Sequence, residues 1–150
     1  MSEHPDPTRI VADSDVLAAD LLVGGSARKA LDMIRTHEFL SLITTDTILL
    51  ETQRIIEALA DADLAEDWGS RARVEFTVIK PSGGGHPAFE AAATSNAATV
   101  LSLDERLQSM RAGVAIRDHV ATSVKSPQAF VAMVDPKALK IAIEESDTTE

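Results

Sequence analysis

Cysteine is absent from this 150-residue chain, which excludes disulfides, thiolate zinc sites and a cysteine nucleophile. Aromatic residues make up only 3% of it. With Phe76, Phe89 and Phe130 inside expected elements, no platform for stacking nucleobases is visible. No apolar run approaches the ~18–20 residues that a membrane helix needs. Met1–Thr8 is polar and contains proline, so no signal peptide is expected there and a cytoplasmic location is. Positive charge is also scarce: 14 Lys and Arg, five of them Lys, face 24 Asp and Glu, for a formal net charge of −10. Such an excess repels itself at low salt and maintains solubility at high salt, as in a salt-adapted (halophilic) cytoplasm. An ordinary acidic protein is the simpler alternative. The charge argues against bulk attraction to nucleic acid, so an RNA contact would need a local cationic patch or bridging metal ions.

What is present is a globular chain with 45% hydrophobic residues, enough for one domain with a sizeable core. Strand and helix patterns alternate, which is the signature of a parallel α/β sheet. Strands are expected at Arg9–Asp13, Phe39–Thr44, Glu75–Ile79, Ala98–Leu103 and Val114–Arg117. Helices are expected at Ser14–Val23, then from Ser26 as a cap to His37, and from Thr45 or Asp46 to Ala60. Further helices fit Ala62–Arg73, His86–Asn96, Asp104–Arg111 and Ser126–Val134. Gly24–Gly25 and Pro81–Gly85 act as breakers. Residues 1–8 read as a flexible arm, 9–134 as the domain, and 135–150 as an extension with a charged, frayed acidic tail.

Three acids carry the chemistry. Asp13 and Asp104 follow the apolar runs Arg9–Ala12 and Thr99–Leu103, and Glu51 lies in a helical pattern between them. Ligands collect at the carboxyl ends of strands in open α/β sheets, and hard oxygens there favour Mg²⁺ or Mn²⁺. Each acid also has a plain structural role open to it: Asp13 and Asp104 as helix caps, Glu51 as a solvated helix-face acid. Ser14 and Asp15 are alternative caps to Asp13, and Asp15, Asp46 and Glu105 read as caps or solvated neighbours. His86 could ligate a transition ion, and Glu90 shares its helix face four positions on; a solvent-facing His86 is the alternative. Cations for gripping a phosphate backbone are Arg106, Arg111, Arg117, His119 and Lys125, with Arg71 and Arg73 as a smaller group. Gly83–Gly85 lacks the Lys–Ser/Thr pair of a phosphate-cradling loop, and no Gly-x-Ser-x-Gly elbow exists. Lys80–Pro81 would suit a receiver domain only if an acid ended Phe39–Thr44, and none does.

The order of Ile10–Leu17, Thr45–Glu51, His86–Ala93, Thr99–Asp104 and Ser126–Val131 resembles the PIN-domain family of metal-dependent ribonucleases. That family includes toxin ribonucleases of toxin–antitoxin operons. The resemblance implies a single-domain, three-layer α/β/α sandwich around a five-stranded parallel sheet. It also implies a Mg²⁺- or Mn²⁺-dependent ribonuclease in which Asp13, Glu51 and Asp104 are catalytic metal ligands. Asp13 would bridge, Glu51 would orient the attacking water and Asp104 would complete the cage. Ser14 and Ser102 would be outer donors, and Arg106 and Arg117 would contact RNA. Where the family has its remaining acid this chain has His86, so His86 or Glu90 is the further candidate ligand. Implied partners are an RNA substrate, an antitoxin or other protein, and a second copy in a homodimer. A PIN-like domain that has lost catalysis and serves as a binding or scaffolding module is the alternative.

Overall fold

Ile10, Val11 and Ala12 are all buried, as are Val100 and Leu101, so each of these short runs has both of its faces covered. Continuous apolar runs of this kind belong to parallel strands sandwiched between helices. The computed structural model describes residues 5–81, 83, 85–109 and 122–148. Its elements are β1 (Asp6–Ala12), α1 (Ser14–Leu22), α2 (Gly25–Arg35), β2 (Ser41–Thr45), α3 (Asp46–Leu59), α4 (Ala62–Glu75) and β3 (Thr77–Ile79). They continue with α5 (Pro87–Ser95), β4 (Ala97–Leu101), α6 (Glu105–Ser109), β5 (Ser123–Lys125), α7 (Pro127–Met133) and α8 (Pro136–Thr148).

The five strands form one sheet in the order β3-β2-β1-β4-β5, every neighbouring pair parallel. Helices cover both faces, and the chain is a single-domain α/β sandwich. Ile10 sits between Leu42 and Thr99, and Ala12 beside Leu101. From the central β1 the chain winds outward through β2 and β3, then returns past β1 to build β4 and β5 on the other side. The winding direction therefore reverses between β1 and β4, which opens a crevice at their carboxyl ends. On one side α5 lies across β4, β1 and β2, while α2 packs on α7 and the α3–α4 hairpin packs on α1.

Several boundaries differ from the sequence reading. β1 begins at Asp6, within the stretch expected to be a loose arm, because Asp6 donates its amide to the Asn96 carbonyl as an extra rung. Ser26 does not cap α2. The cap is Gly24, which takes a φ of 85° and starts the helix two residues earlier without a side-chain bond. The fifth strand is Ser123–Lys125, whereas Val114–Arg117 lies outside the described residues. The C-terminal region expected to fray is helical through Thr148. Among the described residues no helix is long and apolar enough to cross a membrane.

Candidate functional site

The first turn of α1 starts directly at the exit of β1. Asp13 keeps an extended backbone, and its Oδ1 accepts the Ser14 amide at 2.8 Å, so Asp13 itself is the helix cap. Its backbone N–H joins β4 through the Leu101 carbonyl. This places Asp15, on the first turn, over the neighbouring strand end. There Asp15 Oδ2 accepts the Leu103 amide at 3.2 Å and the Ser102 hydroxyl at 3.5 Å. Ser102 is fully buried, and its oxygen also accepts the Asp104 amide at 3.0 Å. Two strand exits on either side of the sheet's reversal are thus tied together through one serine and one aspartate.

Glu51 joins from α3: the Ser14 hydroxyl donates to its Oε2 at 3.3 Å. His86 joins from the start of α5, its Nε2 lying 3.8 Å from Asp13 Oδ2. It caps α5 by accepting the Ala88 amide at Nδ1 (3.2 Å), and its ring leans on Phe89 with centroids 4.9 Å apart. Of the two serines, Ser14 thus donates to Glu51 and Ser102 to Asp15.

Other candidates are placed differently. Asp104 Oδ1 accepts the Arg106 amide, and both carboxylate oxygens face its guanidinium at 3.4 Å. These hydrogen bonds from Arg106 hold Asp104 below the usual carboxylate range. Arg106 thus faces Asp104 while its side chain stays largely exposed. Glu90 reaches the glycine loop, where it accepts the Gly85 amide at 3.3 Å. Asp46 pairs with Arg73, and Arg71 with Asp67, so that smaller cationic group is already matched by carboxylates. Lys125 donates to Ser123 at 2.7 Å, and burial pulls its pKa down. Arg111, Arg117 and His119 lie outside the described residues.

Asp15 is the residue that the sequence reading passed over as a cap or solvated neighbour. Burial, with the charges of Asp13 and Asp104 adding to it, pushes its pKa up to about 6 even though the Leu103 amide opposes the shift. Its Oδ1 is buried and has no hydrogen-bond partner. The clue available in the sequence is the Asp–Ser–Asp spacing: once Asp13 caps the helix, the acid two positions on must lie in its first turn.

As they stand, no three His, Asp or Glu side chains among the described residues are close enough to hold a metal ion together. The donor chemistry nevertheless suits a hard cation. A buried carboxylate oxygen without a donor, next to two further carboxylates, is an arrangement that a divalent cation relieves and that water or a neutral donor relieves less. Asp13, Asp15 and Asp104 are the residues that would hold it, with Glu51 and Ser14 alongside.

A family described as being of unknown function (DUF7384) matches residues 4–149, and the chain belongs to it. No curated protein matches the chain.

Proposed function

We propose that this member of the DUF7384 family is a PIN-like, divalent-cation-dependent ribonuclease of the cytoplasm that hydrolyses RNA phosphodiesters. The observation that carries the reading is Asp15: its buried, unpartnered Oδ1 lies in the field of Asp13 and Asp104, at the crevice where the sheet reverses. When bound, Mg²⁺ or Mn²⁺ supplies neutralising charge for phosphate oxygens and lowers the pKa of a bound water. The chain's own groups do the remaining work. Asp13 and Asp15 hold a fixed negative centre, because backbone amides clamp one oxygen of each. Glu51, steadied by the Ser14 hydroxyl, is placed to accept a proton from an attacking water. Ser102 fixes the spacing between the two strand exits.

A second reading has an observation of its own. Asp13 is used as a helix cap and Asp104 is paired with Arg106, which is what a PIN-like binding module without catalysis would also show. An antitoxin, another protein or a second copy would then be the partner. Mn²⁺ titration of the wild type and Asp15→Asn, combined with cleavage of labelled RNA, separates the two. The nuclease reading expects cation binding and cleavage, both lost in Asp15→Asn. Cation-independent behaviour in both proteins would favour the module.

A further inference from the structure

We infer that His86 is a hydrogen-bond donor to a phosphate oxygen of the substrate and not a ligand of the cation, an inference that rests on the cation-dependent reading above. The Ala88 backbone amide can only donate, so His86 Nδ1 must use its lone pair to accept. With Nδ1 accepting, the ring hydrogen sits on Nε2, which leaves no free lone pair there for a metal. Among the described residues no hydrogen bond to that N–H is made; the Asp13 carboxylate lies 3.8 Å away. The side chain is 34% exposed. Contact with Phe89 limits the swing of the ring.

The surrounding acids decide which ligand can use this donor. Asp13, Asp15 and Asp104 repel an anion, so a phosphate oxygen reaches His86 only when a cation offsets them. Cation and phosphate binding are then coupled, and His86 contributes to the second alone. An aspartate at this position would instead cap α5 equally well and add a further carboxylate. A histidine here favours anion recognition, whereas an acid would favour metal affinity.

The test uses the full chain with His86→Asn and His86→Asp, both of which retain an N-cap side chain. Three measurements are compared. Ring ¹⁵N spectra of the metal-free protein are expected to show the Nε2–H tautomer of His86; the Nδ1–H tautomer would overturn the inference. Mn²⁺ affinity from water-proton relaxation is expected to change by less than about threefold in His86→Asn and to rise in His86→Asp. A loss of about tenfold or more in His86→Asn would make the histidine a metal ligand and overturn the inference. Inorganic phosphate, titrated with Mg²⁺ present, is expected to bind about tenfold more weakly to His86→Asn, the cost of one hydrogen bond to a charged group. Equal phosphate binding by wild type and His86→Asn, with Mn²⁺ binding intact, defeats the inference alone. If the wild type binds no Mn²⁺ at all, the cation reading falls and takes this inference with it.

Discussion

Asp13 and Asp15 flank one serine yet meet different surroundings. Asp13 Oδ1 takes an amide at the helix start, whereas Asp15 reaches across to β4 and leaves one oxygen without a donor. In metal-free protein the folded-state pKa of Asp15, about 6, exceeds an unfolded value of roughly 3.9. Between those values the folded chain binds the extra proton, so this group favours folding below about pH 4, and that support is lost as pH rises through about 6. At neutral pH it is a penalty, no more than about 2 kcal/mol after solvent screening. Asp15→Asn is therefore expected to be more stable than wild type at pH 7 in EDTA, with the advantage shrinking toward pH 4. Urea unfolding across that range measures it, and a pH-independent difference would contradict the electrostatic account. Of the acids read from sequence, Asp13 lies at the β1 exit, Glu51 accepts from Ser14 beside it, and Asp104 donates its amide to Ser102 after β4. What sequence could not reveal is how the backbone uses them: Asp13 caps α1, while Asp15, read as an alternative cap, reaches the Leu103 amide instead.

Between helices, the most consequential tie is ionic. Asp20 on α1 is buried and takes Arg35 from α2 at 2.6 Å, while Arg35 also grips Glu75 at the end of α4. Burial opposes the Arg35 charge, but the hydrogen bonds from Asp20 and Glu75 more than offset it and hold its pKa above the ordinary value. Arg28, meanwhile, donates to the Asp20 and Leu21 carbonyls and so satisfies the end of α1. Asp20→Ala leaves Arg35 half-buried without its inner partner and is expected to destabilise the fold by about 1–3 kcal/mol. Urea midpoints check this, and a loss under about 0.5 kcal/mol would show that Glu75 alone suffices. The same elements show what the chain makes legible. The order of strands and helices could be read because the apolar runs Ile10–Ala12 and Thr99–Leu101 differ in period from the Ile48, Leu49, Thr52, Ile56 face of α3. β5 is hard to read from sequence because Ser123–Lys125 is a short polar edge strand, held by pairing with Thr99–Leu101 rather than by its own hydrophobicity. α8 was missed for a related reason: Ile141 is exposed and acids crowd its end, so composition resembles a tail even where the backbone is helical.

Across the whole molecule, two consequences of the net charge of −10 pull on the same measurement. General repulsion among 24 acids and 14 bases weakens the fold at low salt, and any salt screens it. The reversal of the sheet between β1 and β4 adds a local component, because it brings Asp13, Asp15 and Asp104 toward one crevice. KCl should therefore raise Tm gradually and to a similar extent in wild type and in Asp15→Asn. Mg²⁺ at matched ionic strength should raise the wild-type Tm further. At about 100 times its Kd, a bound cation contributes about 2.7 kcal/mol, which is several degrees for a chain of this size. That extra increment should be absent from Asp15→Asn, whose general acidity is nearly unchanged. Differential scanning fluorimetry of both proteins in KCl and MgCl₂ resolves the components. If Mg²⁺ and KCl act identically at equal ionic strength on the wild type, the crevice has no preference for a divalent ion, and the acids there act on the fold only as part of the overall charge.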